Sequence, residues 1–381
     1  MRMVSLSELP TPLVTVDLEN LTTNIEEAAE TAKNHQKNLW PMIKTHKSVT
    51  IAKLQKQAGA SGFVCGTLDE AEMLANAGFR TDIMLGYPIT NKENIKRVSR
   101  LLEGNIRILF RVDHPTIAKR LNAQLSQKEL QVEFTVPVDV GYHRHGVRPE
   151  KVGTFVKSLE KFTHLEFTGI VTHPGHVYEA TRTQEVEKVA KRVAKNMRKA
   201  VNSLHSQNFD PCIVGTGSTP TFRFDVQEDV YTHVFPGNYV YYDREQALIF
   251  GSTTLERCAL TVLTTVISIP SHYEGTLAIL NAGSTYFDRR RKEGLTGYGH
   301  LVGYPKAVFF GLSQEVSEIN IQKTPQVSVG DTIQVIPNHS CITNNSVSFL
   351  IGHRNGEVRR LIPIEGRNGT KIENNLINTL L

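Results

Sequence analysis

Between Leu13 and Gly215 the sequence alternates eight times between a short apolar, β-rich run and a stretch of helical period. The runs are Leu13 to Asp17, Leu39 to Lys44, Gly62 to Thr67, Asp82 to Tyr87, Ile106 to Val112, Val132 to Asp139, Phe167 to His173 and Cys212 to Gly215. Between Thr181 and Ser206, residues Val186, Val189, Val193, Met197, Val201 and Leu204 form one apolar stripe of the kind a core-facing helix presents. Thr67-Leu68-Asp69-Glu70 has capping-box spacing, and Gly78 reads as the stop of the helix it starts. Eight strands, each followed by a helix, are what a closed (β/α)₈ TIM barrel requires; a doubly wound open sheet gives a similar local pattern, but the count favours the barrel.

In such a barrel the chemistry gathers at the C-terminal ends of the strands. Here Lys44, the segment Asp139 to Arg144, the segment His173 to Tyr178 and the segment Gly215 to Thr219 all fall there. Four loops point to one site.

After about residue 244 the pattern changes. Leu260 to Ile269, Thr276 to Leu280, Thr332 to Ile336 and Val347 to Ile351 are β-branched runs, and Tyr273-Glu274-Gly275 and Arg354-Asn355-Gly356-Glu357 are turn signals, the latter a hairpin signal. The expected organisation is a barrel over residues 11–244 and a second, mostly β, barrel-like domain over residues 245–381 that also takes up residues 1–10.

Composition narrows the function. Lys and Arg exceed Asp and Glu by 43 to 38, spread along helix faces, so no basic stripe suggests nucleic acid. Cys65, Cys212, Cys258 and Cys341 form no CxxC pair, which indicates a reducing compartment and neither a disulfide framework nor a structural zinc module. The N-terminal segment has no apolar core of a signal peptide and no long apolar run follows, so the expectation is a cytoplasmic protein that does not enter a membrane.

The loops carry the chemistry. Lys44, in Pro41-Met42-Ile43-Lys44-Thr45-His46-Lys47-Ser48, is a candidate anchor for a carbonyl cofactor, because a lysine that loses hydration has a free amine for Schiff-base formation; the plain alternative is a pair of solvated charges, Lys44 and Lys47. Gly215-Thr216-Gly217-Ser218-Thr219-Pro220-Thr221 offers N–H groups and hydroxyls to a phosphate, or is an ordinary turn of small residues. Arg144, between His143 and His145, suits a phenolate oxygen of a cofactor, or pairs with Asp139. His173 suits packing on a cofactor ring, and Tyr178 suits an acid, base or hydrogen-bonding role. In Pro337-Asn338-His339-Ser340-Cys341, a His-x-Cys spacing puts imidazole and thiol on one face of an extended strand, a soft pair for Zn²⁺ with positions left for water and substrate.

Taken in order, these motifs resemble the fold-type III pyridoxal phosphate enzymes of the alanine racemase-like class, and within it the D-serine dehydratase and D-threonine aldolase family. The resemblance runs from Leu9-Pro10-Thr11-Pro12 through the Lys44 loop, Val138 to Val147, Gly217 to Thr221 and Pro236-Gly237-Asn238-Tyr239 to the His339 and Cys341 pair. It implies that Lys44 forms the internal aldimine, that Arg144 meets the cofactor's O3′, that Gly217, Ser218, Thr219, Gly237 and Asn238 surround its phosphate with His173, Tyr178 and Tyr239 nearby, and that His339 and Cys341 hold a divalent cation. Zinc is the first expectation for that cation, with manganese or magnesium as the others. Three departures stand out: Phe235 lies at about the place where alanine racemases have an arginine to the pyridine nitrogen, as in the resembled relatives, Gln314-Glu315-Val316-Ser317 replaces the usual Gln-Glu-His-Gly, and Asn281 lies where an aspartate is usual. The implied activity is that of a lyase on a D-β-hydroxy amino acid, D-serine dehydratase first. D-threonine aldolase, D-threo-3-hydroxyaspartate dehydratase and a non-catalytic pyridoxal phosphate carrier are the alternatives. The implied assembly is a homodimer.

Overall fold

The structure, a computed structural model, describes residues 4–104, 106–324 and 326–367. Seventeen strands occur among the described residues, in chain order: Leu13–Asp17 (β1), Asn38–Leu39 (β2), Gly62–Cys65 (β3), Asp82–Leu85 (β4), Ile108–Arg111 (β5), Val132–Pro137 (β6), Leu165–Thr172 (β7), Ile213–Thr216 (β8), His233–Val234 (β9), Leu260–Ser268 (β10), Leu277–Leu280 (β11), Gly299–Leu301 (β12), Val308–Leu312 (β13), Ser317–Asn320 (β14), Thr332–Pro337 (β15), Phe349–Arg354 (β16) and Glu357–Pro363 (β17). They divide between two compact units.

One unit comprises Ala29–His176, Glu187–Gly237 and the described residues from Glu365 onward. Its eight strands are all parallel, in the order β2-β9-β8-β7-β6-β5-β4-β3. The ends of this series meet: Val64 N–H donates to Pro41 O at 2.9 Å and Ser61 N–H to Leu39 O at 3.1 Å, closing the barrel. Its strands are continuous apolar runs because parallel strands under helices are buried on both faces. The part of the helix Thr183–His205 that belongs to this unit, from Glu187 onward, buries Val193, Met197 and Leu204 completely, as the stripe requires. The helix Leu68–Asn76 starts at Thr67, whose Oγ1 accepts the Glu70 N–H, and gives way to Gly78 at φ +83°.

The eight strands are therefore not the eight read from sequence. β1 pairs antiparallel with β10 and parallel with β16, outside the barrel, and β9, only two residues long, completes the ring. A run such as Leu-Val-Thr-Val-Asp satisfies either sheet, and its partner is chosen by residues more than two hundred positions away.

The other unit comprises the described residues up to Ala28, Val177–Val186 and Asn238–Ile364. Its nine-stranded sheet follows β13-β14-β11-β10-β1-β16-β17, with β15 pairing β10 and β12. Val262, Leu280, Phe287, Phe309, Ile319 and Val335 form a core here. β16 and β17 pair across Asn355 (φ +50°) and Gly356 (φ +78°), the two left-handed positions a tight hairpin turn needs. Asn281 ties the scaffold together, since its Oδ1 accepts Thr264 Oγ1 and Thr265 N–H while its Nδ2 donates to Thr11. Among the described residues no helix is long and apolar enough to cross a membrane.

Candidate active site

In the barrel unit, Lys44 lies on a single 3-10 turn, Ile43–Thr45, between two buried anchors, Ile43 and Thr45. It is therefore not the end of a strand. Its half-buried amine makes no hydrogen bond or ion pair among the described residues. Near it sits Glu70, which sequence reading counted only as a capping residue. Its Oε2 accepts the Gly66 N–H at 2.6 Å, its Oε1 has no hydrogen-bond partner, and Lys47 Nζ is 3.8 Å away. Burial pushes the Glu70 carboxyl up to about 7, against the pull of the Gly66 N–H, Lys47 and Lys44. Gly66 is what allows this approach, since a Cβ there would lie 3.0 Å from Lys44 Cβ and 3.5 Å from the Glu70 carboxyl oxygens.

Arg144 does not pair with Asp139. That carboxylate takes the His143 ring at 2.9 Å and the N–H groups of Gly141 and His143, because Gly141 and His143 both turn through positive φ and wrap the loop around it. The Arg144 guanidinium instead lies 4.9 Å from the Tyr142 ring centroid and 5.6 Å from that of Tyr87. Arg111, at the end of β5, lines the same small depression as Arg144 and His173 and was missed by sequence reading. It is buried, its Nε is unpartnered, and burial lowers its pKa to about 10 with Arg144 adding repulsion. The signal was available: a charged residue ending an apolar strand run is seldom there for solubility.

His173 Nδ1 is 2.5 Å from Gly217 O. Burial, with Lys44, Arg144 and Arg111 nearby, lowers its pKa to about 3, so the ring is neutral and Nδ1 carries the proton it donates. The Gly215–Thr219 loop follows β8. Cβ atoms at Gly215 or Gly217 would strike Phe235, at 2.3 and 2.6 Å. Gly237 N–H donates to Thr219 Oγ1, while the N–H groups of Gly217, Ser218 and Thr219 are taken up by no other group among the described residues. Lys44, Arg144, His173, Gly217, Ser218, Thr219 and Gly237 thus all belong to the barrel unit, and they suit pyridoxal phosphate: free N–H donors, a narrow glycine cradle and an unpaired amine.

Tyr178, Asn238, Tyr239, His339 and Cys341 belong to the other unit. Tyr178 meets Phe250 edge to face at 5.6 Å, and Tyr239 is fully buried. Asn238 Nδ2 is committed within its own unit, to Asp243 Oδ2 at 2.7 Å, Ser340 Oγ at 2.9 Å and Cys341 Sγ at 3.7 Å. His339 and Cys341 do not share an extended strand. β15 stops at Pro337, Ser340 N–H bonds to Asp243 Oδ2 at 3.0 Å instead of to a neighbouring strand, and a short helix, Ser340–Asn345, begins with Cys341 in its first turn.

The turn still brings imidazole and thiol together. Burial opposes charge on His339, but Cys341 and Asp243 outweigh it and hold the imidazole well above its ordinary value. His339 Nδ1 is buried, makes no well-formed hydrogen bond, and lies 3.4 Å from Asp243 Oδ2. Glu245, 4.0 Å from the same nitrogen, is pushed to about 7 by burial and by Asp243. Among the described residues no group of three or more His, Cys, Asp or Glu is arranged to hold a metal ion, so the protein offers a two-ligand imidazole and thiol pair with a carboxylate behind it. That donor set fits a borderline-soft divalent cation with open positions.

The alanine racemase N-terminal domain family matches residues 16–245, more than half of the chain. The chain belongs to that family. A putative serine dehydratase domain matches residues 259–352. Among curated proteins the chain is 26% identical to a 3-hydroxy-D-aspartate aldolase of Paracoccus denitrificans (strain Pd 1222), covering 95% of this chain and 93% of that one. It is 27% identical to the D-serine dehydratase of Dictyostelium discoideum, covering 89% and 92%. A solved metal-free form of a D-threo-3-hydroxyaspartate dehydratase variant superposes with a TM-score of 0.87 at 25% identity, over 97% of this chain and all of the other. The class expected from the motifs, a pyridoxal phosphate-dependent lyase of fold type III, agrees with this membership.

Proposed function

We propose that the protein converts a D-β-hydroxy amino acid, D-serine in the first instance, into a 2-keto acid and ammonia, using pyridoxal phosphate and a divalent cation, zinc first. The observation that carries the reading is the Lys44 amine, held at the mouth of the parallel barrel with no hydrogen-bond or ion-pair partner among the described residues. The family resemblance supports dehydration over retro-aldol cleavage, because its dehydratase members carry His-x-Cys, as at His339 and Cys341, where its aldolases usually carry His-x-Asp.

Pyridoxal phosphate, when bound, supplies an electron sink for the charge left on Cα. The N–H groups of Gly217, Ser218 and Thr219 would hold its phosphate, and the neutral His173, oriented by its bond to Gly217 O, would pack against it without competing for a proton. Arg144 would fix the ring through its phenolic oxygen. Lys44 would hold the cofactor through its amine and would serve as the base for the substrate's Cα proton; the buried Glu70 lends that amine a nearby carboxyl. A divalent cation at His339 and Cys341 would supply Lewis acidity for departure of the β-hydroxyl. Serine loses its Cα proton and β-hydroxyl as water, and one water returns to release ammonia, so D-serine gives pyruvate and ammonia.

The test is product identity. Purified protein with pyridoxal phosphate and Zn²⁺ is offered D-serine, D-threonine and D-threo-3-hydroxyaspartate. Pyruvate and ammonia from D-serine are expected. Glycine and acetaldehyde from D-threonine as the main turnover would reject dehydration, and no turnover of any substrate by protein that binds the cofactor would point to a carrier.

A further inference from the structure

Behind the Gly217–Thr219 loop lies a carboxyl group that the proposed reaction leaves unused. Ser218 Oγ and Thr221 Oγ1 are 2.8 Å apart, and Thr221 Oγ1 is 2.6 Å from Asp225 Oδ2, so three side chains make one hydrogen-bonded row from the loop into the protein. All three are sealed from solvent: Ser218 is 5% exposed, Thr221 0% and Asp225 1%. Thr221 N–H also donates to Ser218 Oγ, leaving that hydroxyl one proton to place. Asp225 Oδ1 has no hydrogen-bond partner, and no cation pairs with the carboxyl among the described residues. The charged and titratable groups facing it are the Tyr231 hydroxyl and the Glu228 carboxylate; Glu228 is itself engaged by Arg198 at 2.7 Å, and Lys37 spends its amine on the backbone oxygens of Glu228 and Tyr231.

A sealed carboxyl with a second carboxylate near it and no counter-ion keeps its proton. Burial, aided by Glu228 and opposed by the Thr221 hydroxyl, pushes it to about 8. The direction of the row depends on that proton. A neutral Asp225 donates to Thr221 Oγ1, Thr221 then donates to Ser218 Oγ, and the Ser218 proton is left free to point into the loop. An ionised Asp225 accepts from Thr221, Thr221 accepts from Ser218, and Ser218 shows the loop only lone pairs.

We propose that Asp225 is a positioning residue whose neutral form orients Ser218 as a donor to the phosphate group of the cofactor, and that loss of its proton reverses the row and weakens phosphate binding. This rests on the pyridoxal phosphate reading above. It predicts a pH dependence seated in the phosphate and not in the aldehyde.

The experiment measures binding of pyridoxal phosphate, and of pyridoxal lacking the phosphate, by equilibrium dialysis of the full chain between pH 6.5 and 9.5, for the wild type, Asp225→Asn and Thr221→Val. The amide of Asp225→Asn does not titrate over this range, so that variant has no proton at this position to lose. Relative to that variant, the wild type should lose affinity for pyridoxal phosphate by roughly tenfold per pH unit above about 8, the slope of one linked proton. Pyridoxal should show no such difference. Thr221→Val, which cuts the row, should bind pyridoxal phosphate more weakly at pH 7 and lack the extra slope, and it carries the test if Asp225→Asn fails to fold. Identical profiles in wild type and variants overturn the proposal. A wild type that takes up pyridoxal phosphate with no Lys44-dependent visible band overturns instead the cofactor reading on which it rests.

Discussion

Lys47 Nζ stands 3.8 Å from Glu70 Oε1, a carboxyl oxygen sealed from solvent whose partner oxygen is held by the Gly66 N–H. One flexible ammonium at that distance does not repay the desolvation of a carboxylate, which is why burial dominates and Glu70 rises to about 7. An unfolded glutamate titrates near 4.3, so the fold favours the protonated form. The stability this gives is fully present below about pH 4 and is lost as pH rises toward 7, by about 3 kcal/mol over that window. Glu70→Gln should therefore gain about that much on the wild type between pH 4.5 and pH 8 in urea unfolding. An equal pH dependence in both proteins would show that Glu70 is ionised in the fold.

Lys44→Ala should leave the barrel intact, because its neighbours Ile43 and Thr45 anchor the turn. It should abolish both turnover and the visible absorption that pyridoxal phosphate acquires on binding. Retention of the band would move the anchor to another lysine, Lys47 first.

The carboxylate behind the imidazole and thiol pair allows a measurement independent of turnover. Asp243 accepts Asn238, Ser340 N–H and, through Oδ1, Gln246 N–H, so it is rigidly placed with His339 3.4 Å away. Carboxylates that orient a ligating histidine are worth about 10- to 100-fold in metal affinity. Asp243→Asn should weaken Zn²⁺ binding by that factor in competition with a chromophoric chelator, and Cys341→Ala should weaken it further. Unaltered zinc affinity in Cys341→Ala would remove the metal from this site.

Much of the barrel was readable because a parallel strand buried on both faces is a continuous apolar run, and because polar residues at its C-terminal end have few structural reasons to be there. Lys44, Arg144, His173 and the Gly217 loop were singled out that way, although Lys44 lies on a 3-10 turn and not at a strand end. β1 was misplaced because Leu13–Asp17 carries nothing local that names its partners, and β9 was missed because two residues are too short to show a period. Glu70 and Asp225 escaped for a shared reason: a charged residue in a helix reads as solvated, and only tertiary packing reveals it as buried, whereas Arg111, which ends an apolar strand run, could have been noticed. The extended-strand reading of His339 and Cys341 failed because Asp243 draws off the Ser340 N–H and starts a helix there.

Gly217 offers the sharpest test of the phosphate loop. A Cβ there would lie 2.6 Å from Phe235 Cβ and 2.8 Å from Phe235 O, a clash with side chain and backbone at once. Phe235 has little room to yield, being buried and packed beside Trp40 with ring centroids 6.4 Å apart. The loop must shift instead, and with it the three free N–H groups. Gly217→Ala should lower stability by about 1–3 kcal/mol, the usual cost of overpacking, while the far-ultraviolet circular dichroism remains that of the wild type. Affinity for pyridoxal phosphate should fall by about tenfold or more, since a misplacement of a few tenths of an ångström acts on several aligned donors together. Affinity for pyridoxal, which has no phosphate, should fall much less. If both ligands lose affinity equally, the loop shapes the pocket without holding the phosphate; if neither does, the phosphate is bound elsewhere in the barrel mouth.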